Sequence, residues 1–398
     1  MDRGLPRAVR LLVVARAVNR LGAFSISFLA VLITTRFGAS PAVAGGVSAG
    51  FGLATIPSRL AGGRLADRIG RRRTIVVGLV GCAVAQAGLA AAGSLAAVVG
   101  WAVLLGLVFE IYEPPSQAMI ADVVAPDQQV RAYSLLNAAL AVAGMGAGLL
   151  ASGLGRWDLR WLFVADAVTC LLCALTVQLV LPADHRGAAV GIDREAVRLA
   201  PWRDPALLRM LAAGTLFAVV YLQIMITLPL TLGARGLRPT DAGILFTASA
   251  LTITAGQPLM RWQRLSALPA PIALAAGYLL LALGLSGYAL AHTLPAFLAS
   301  TVVWSAGDLL LVGRAYAVVA ALAPPGGTGR YLAVFGTSWG LAGIAAPLVG
   351  TQLLERAGPG ALWTAMALAG LLLAVVQPAV VRETARPRRP PLEHLPSK

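Results

Sequence analysis

The stretch Gly63-Arg64-Leu65-Ala66-Asp67-Arg68-Ile69-Gly70-Arg71-Arg72-Arg73 is a charged turn wedged between two long apolar runs. Pro41–Ile56 lies upstream and the uncharged segment Thr74–Gly93 downstream. Charged groups are costly in hydrocarbon, whereas an apolar run of about 20 residues is long enough to cross a bilayer as a helix. A turn of this kind between runs of that kind leaves one arrangement: two spanning helices joined at a membrane surface. Helices and closed barrels alone satisfy every backbone group in lipid, and runs this long and apolar exclude strands.

The pattern repeats along the chain. Apolar runs between charged punctuation fall near 9–35, 41–62, 74–93, 96–121, 132–155 and 160–182, then near 208–233, 241–262, 270–291, 295–322, 331–354 and 360–381. Only 12% of residues are charged and 58% are hydrophobic, where a soluble domain carries roughly 25% charged residues. The expected fold is therefore all-α, with twelve transmembrane helices in two pseudo-symmetric six-helix bundles. The boundaries expected are 1–182 for the first bundle, 183–206 for a polar cytoplasmic linker, 207–382 for the second bundle and 383–398 for a disordered cytoplasmic tail. An internal echo supports the halves. Ala125-Pro126 precedes Arg131-Ala132-Tyr133 and Gly144, Gly146, Gly148, while Ala323-Pro324 precedes Arg330-Tyr331 and Gly336, Gly340, Gly343. Duplicated bundles with a binding site between them are the usual build of secondary transporters.

A formal net charge of +15 raises the question of nucleic acid, but the basic residues alternate from loop to loop. Arg36, Arg156, Arg160, Arg235, Arg238 and Arg356 fall on one side and Arg16, Arg20, Arg59 and Arg314 within runs. The rest of the 32 Lys and Arg residues fall on the other side. This asymmetry places both termini in the cytoplasm and leaves no basic soluble module for nucleic acid. Arginine almost to the exclusion of lysine suggests a GC-rich bacterial genome, so the bacterial cytoplasmic (inner) membrane is the expected location. The first run is too long for a signal-peptide core. Cys170-x-x-Cys173 has redox spacing but sits in mid-run, where the thiols act as small apolar filler. Gly46-x-Ser48-x-Gly50 likewise falls within a helix rather than a strand–turn–helix elbow. No His/Cys/carboxylate cluster has metal-ligand spacing. Neither an enzyme nor a metal or cofactor is expected.

The order Gly-x-x-x-Asp-Arg-x-Gly-Arg-Arg-Arg in Gly63–Arg73 resembles the loop signature of the major facilitator superfamily of transporters. Glu113-Pro114-Pro115-x-x-Ala118-Met119-Ile120-Ala121-Asp122, with Arg131-Ala132-Tyr133, is similar to the twelve-span drug:proton antiporter branch. The resemblance implies alternating access powered by a proton gradient. It also implies a cytoplasmic latch in which Gly63, Asp67, Arg68, Gly70 and Arg71 act with Asp122 to hold the halves in one state. Gly63 and Gly70 would allow the sharp reversal, and Asp67 can cap a helix N-terminus.

An ionisable group inside a span is a functional candidate by default. Arg16, Asn19 and Arg20 stand on the first span. Glu110 and Glu113 stand on the fourth at i,i+3, on one face, with Pro114 and Pro115 directly after, and Asp308 lies midway along the tenth. In the fold that the resemblance implies, the first, fourth, seventh and tenth helices line the central cavity. Glu110, Asp308 and Glu113 are thus proton-coupling candidates, with Glu113 also suited to pairing with Arg20 or Arg16. Arg20, Asn19, Tyr221 and Gln223 are the substrate-cavity candidates. Asp166 is expected to cap or pair locally, and Arg59 to snorkel to the surface.

The function expected is proton-coupled efflux of lipophilic or amphiphilic, drug-like small molecules by a monomer in the lipid bilayer. The alternatives are a proton-coupled importer or metabolite exporter on the same fold, and a non-transporting membrane receptor or scaffold.

Overall fold

The computed structural model describes residues 7–113, 115–116, 126–180, 201–261, 268–323 and 328–384. Among them the regular structure is helical. The first half holds α1 (Arg7–Gly22), α2 (Leu29–Phe37), α3 (Pro41–Ile69), α4 (Arg71–Ala91), α5 (Leu95–Phe109), α6 (Pro126–Leu154) and α7 (Arg160–Val180). The second holds α8 (Pro205–Ile226), α9 (Leu228–Ala234), α10 (Ala242–Gly256), α11 (Ala270–Leu290), α12 (Leu294–Leu322) and α13 (Thr328–Thr384). Helix dominates each apolar run over its described residues. By length and hydropathy alone, eight segments qualify as membrane spans among the described residues. One of the eight, Val334–Val381, holds two limbs of α13 joined through Gly358 (φ 80°, ψ 175°), while Leu95–Phe109 and Val142–Leu154 are apolar but shorter.

Chain breaks follow the sequence. Ser40, Ser94 and Asp204 accept hydrogen bonds from the first-turn amides of Val43, Ala97 and Ala206, starting α3, α5 and α8. The first run, expected as one helix, is interrupted by a 3-10 turn at Ser25–Phe28. Gly22 lies so tight against α7 that an added methyl would sit 2.6 Å from the Asp166 Cα, and Ser25 Oγ donates to Asp166 at 2.7 Å. A side-chain tether of this sort diverts a helix from its own ladder. In the fourth run, α5 ends at Phe109 because Pro114 and Pro115 offer no N–H to the carbonyls of Glu110 and Ile111. Residues 201–206, expected in the linker, form a 3-10 turn and the start of α8. The linker up to residue 200 and the tail from residue 385 lie outside the described residues.

The helices of each half pack mainly with one another. In the first half α1 lies on α6 and α7, and α4 on α5 and α7; in the second α11 lies on α12 and α13, and α8 on α13. Among the described residues two helix pairs carry most of the contact between halves, α3 with α13 and α6 with α10. Both crossings are backbone-close. A methyl on Gly52 would fall 2.6 Å from the Gly343 carbonyl oxygen, and one on Gly243 would fall 2.8 Å from the Ser152 nitrogen. Thr247 Oγ1 donates to the Met145 carbonyl at 2.9 Å, and the Ala42 amide donates to Glu355 Oε2 at 2.7 Å. These contacts seal the end of the molecule opposite the basic turn. Outside, leucines and valines such as Leu53, Leu179, Leu368 and Val375 stay exposed. Such a continuous apolar surface calls for lipid. Trp157, Trp161 and Trp202 are exposed near helix ends, as in an interfacial aromatic belt.

Candidate functional site

The charges of the first half sort into separate places. Arg16, 9% exposed, forms an ion pair with Glu113, and its guanidinium lies 5.0 Å from the centre of the Tyr112 ring. Glu110 faces elsewhere: Oε2 lies 3.8 Å from Arg59 Nε, and its backbone N–H donates to Ser58 Oγ at 3.0 Å. Because the helix ends at Phe109, the two acids do not share a helix face as their spacing suggested. Each reaches a different neighbouring helix. Arg59, expected to snorkel to the surface, has a side chain 65% exposed and also pairs with Glu110.

Asn19, 6% exposed, turns away from the space between the halves and donates to Cys170 Sγ at 3.2 Å. It joins an interior cluster around Asp166, whose carboxylate accepts from Ser25 Oγ at 2.7 Å and Gln86 Nε2 at 2.6 Å. Gln223 is also a packing group: it is fully buried, donates to the Ala346 carbonyl at 2.7 Å, and holds α8 against α13. Neither Asn19 nor Gln223 lines a cavity, as the sequence had suggested. A polar side chain on a cavity-lining helix still has several faces to choose from, and periodicity alone does not select one.

Arg20 and Tyr221 stand between the halves. Arg20 is exposed although it lies in mid-run, and its guanidinium sits 6.0 Å from the centre of the Phe24 ring. Phe24 stacks across the halves on Phe246 at 5.1 Å, with the planes 13° apart. Tyr221 is half-buried. Around it stand Phe217 at 6.0 Å, Trp304 at 6.2 Å and Trp339 at 5.5 Å, and Phe217 touches Tyr278 edge-on at 5.9 Å. Phe217 and Tyr221 are four apart in α8, a spacing that puts both on one helix face. That i,i+4 pair was legible in the sequence and went unused.

Asp308 stands in α12 beside this cluster. It is 6% exposed, and its Oδ1 is enclosed without a hydrogen-bond partner among the described residues. An enclosed carboxyl oxygen without a donor is energetically costly.

The latch candidates are partly visible. α3 continues through Gly63 to Ile69, and the reversal occurs at Gly70 alone (φ 91°, ψ 161°), which also takes the N-cap position of α4. Asp67 is thus in the last turn of α3, not at the N-cap, and Gly63 does not make the turn. Arg68 is exposed and Arg71 opens α4. Asp122 and the Asp67 side chain lie outside the described residues.

A family model described as the Major Facilitator Superfamily matches residues 12–262 and 224–397. The chain is similar to the uncharacterized MFS-type transporter YqjV of Bacillus subtilis, with 26% identity over 349 residues, covering 84% of this chain and 83% of the relative. It is similar to the multidrug resistance protein MdtH of Aeromonas hydrophila, with 27% identity over 306 residues, 74% of each chain. Among solved structures, a POT family transporter in complex with 5-aminolevulinic acid superposes with a TM-score of 0.78 at 13% identity, covering 97% of this chain and 98% of that one. A bacterial homolog of the human lysosomal transporter Spinster superposes with a TM-score of 0.70 at 17% identity, covering 95% and 96%. At these identities the structural likeness speaks to the fold alone.

Proposed function

Because this chain belongs to the major facilitator superfamily and is a multi-pass membrane transporter rather than an enzyme, we propose that it exports lipophilic or amphiphilic small molecules in exchange for protons. The halves 1–182 and 207–382 are the moving bodies, alternately opening a central site to the two faces of a bacterial cytoplasmic membrane, with both termini in the cytoplasm. The proton gradient supplies the energy, and the working unit is a monomer. The observation that carries the reading is Asp308, a carboxylate enclosed beside an aromatic cluster with Oδ1 unpartnered. Such a group can take up a proton or a cationic ligand in turn, which is what exchange requires.

Glu110 is the second coupling group. Its ion pair with Arg59 ties α5's end to α3, and protonation of the carboxylate would release that tie. Glu113, held by Arg16, is structural. The similarity to MdtH supports export of drug-like compounds. Asp67, Arg68, Gly70, Arg71 and Asp122 would latch the cytoplasmic end in the opposite state from the one sealed by Gly52 and Gly343.

Cells producing the protein should accumulate less of a fluorescent dye or an antibiotic than control cells, and Glu110→Gln should erase the difference. An unchanged accumulation across a broad panel, with folded protein present, would sink the export reading. Substrate-driven pH change inside proteoliposomes separates export from import: an antiporter and a symporter move protons in opposite directions relative to the substrate.

A further inference from the structure

The break in the first run sets the C-terminal end of a helix against a buried acid. α1 stops at Gly22, where an added methyl would lie 2.9 Å from Asp166 Oδ1. The last carbonyls of a helix lack intrahelical donors, and that end carries a partial negative charge. Asp166 is 4% exposed, and no arginine pairs with it among the described residues. A carboxylate packed on the negative end of a helix, out of reach of water, calls for a positive charge beside it.

Oxygens gather at the same point. Ser25 Oγ stands 2.7 Å from Asp166 Oδ2, and Gln86 Nε2 stands 2.6 Å from that oxygen and 3.0 Å from Ser25 Oγ. The other end of the same amide, Gln86 Oε1, is enclosed without a donor, on a residue 1% exposed. Half a turn of the amide exchanges its ends and brings Oε1 beside the Asp166 carboxylate and the Ser25 hydroxyl. On the remaining side Cys170 Sγ donates to Asp166 Oδ1 at 3.6 Å and accepts from Asn19 Nδ2 at 3.2 Å. The donor set is therefore mainly oxygen, with one formal negative charge. No three His, Cys, Asp or Glu side chains gather as a metal site among the described residues, so the ligands that zinc, copper or calcium take are lacking here.

We propose that Asp166, Ser25, Gln86 and the C-terminal carbonyls of α1 bind a sodium ion. One carboxylate among neutral oxygens balances a single positive charge, and Gln86 Oε1 gains the partner it lacks. Broken spanning helices supply carbonyls and half-helix ends to bound cations in several kinds of secondary transporter. The ion joins the end of α1 and the turn at Ser25 to α4 and α7, and so pins the break in the first run. Its ligands come from the first half alone, whereas Asp308 belongs to the second. The site is thus additional to the proton exchange proposed above and does not depend on it.

The test titrates radioactive sodium onto the full-length protein in lipid nanodiscs at fixed pH, with choline chloride holding the ionic strength constant. Saturable binding is expected, displaced by unlabelled sodium and not by choline. Asp166→Asn should abolish it. Ser25→Ala and Gln86→Leu keep the carboxylate and should each weaken binding about tenfold, so they decide the matter if Asp166→Asn does not fold. The unfolding midpoint of the wild type should be higher in sodium chloride than in choline chloride, because the ion binds the folded chain. The proposal is overturned if no saturable binding appears, or if Ser25→Ala and Gln86→Leu bind sodium like the wild type. It is also overturned if Asp308→Asn, rather than the first-half variants, removes the ion. A midpoint that responds to pH and ignores sodium assigns the carboxyl a proton instead, and overturns it too. Neither substrate nor gradient enters the titration, so its failure leaves the accumulation assay untouched, and a failed accumulation assay leaves the sodium binding untouched.

Discussion

Asp166 and Gln86 meet at 2.6 Å in the interior of the first half, where the carboxylate also accepts from Ser25 and no cation pairs with it among the described residues. A buried acid supported only by neutral donors depends on every one of them. This hub fixes the break in the first run and so sets where Arg20, one turn earlier, is displayed.

Asp166→Asn turns one acceptor into a donor facing the Ser25 hydroxyl and the Gln86 amide. The expected loss is about 1–3 kcal/mol, read as a lower unfolding midpoint in detergent. A variant as stable as the parent would mean that the carboxylate is not the acceptor on which the cluster depends.

The ion pair of Arg16 and Glu113 joins the first run to the segment after α5, with side-chain exposures of 10% and 28%. Glu113→Leu strands the buried guanidinium and should cost about 3 kcal/mol. Adding Arg16→Met should restore most of that, because an apolar pair of similar volume often matches a buried ion pair. A double-mutant cycle on unfolding midpoints checks this, and additive losses would contradict it.

Gly52 meets the Gly343 carbonyl with no room for a side chain. Gly52→Val should wedge α3 from α13 at the sealed end, at about 1–3 kcal/mol of overpacking. The open population should rise roughly tenfold for each 1.4 kcal/mol of that strain. Spin labels at Ala42→Cys and Glu355→Cys, on a background lacking the three buried cysteines, should report a second, longer distance. An unaltered distance distribution would show that the glycine contact does not hold that end shut.

Gly70 and Gly358 occupy the same backbone region, φ 91°, ψ 161° and φ 80°, ψ 175°, which is essentially reserved for glycine. Alanine at either position should cost about 1–3 kcal/mol. Both substitutions should lower the yield of folded protein in size-exclusion profiles. A Gly70→Ala protein with parental yield and midpoint would show that the reversal tolerates a side chain.

The amino-acid order determined a good deal without help. Apolar runs longer than a bilayer is thick must be helices, and arginine-rich turns must lie at the surface, because hydrocarbon accepts neither bare backbone nor bare charge. The Gly70 reversal, the mid-run positions of Arg20 and Asp308 and the family signature were all legible in one dimension. Facing was not. Asn19 and Gln223 looked like cavity residues, yet each bonds inward to a neighbouring helix. Glu110 and Glu113 looked like a twin-acid face, yet the helix ends between Phe109 and Glu110 and sends them to Arg59 and Arg16. A helix presents every side chain to some neighbour. Which neighbour it meets is set by rotation, breaks and the approach of other helices, and those are settled only when the whole bundle packs. Only in three dimensions do Phe24 and Phe246, more than two hundred residues apart, stack across the two halves.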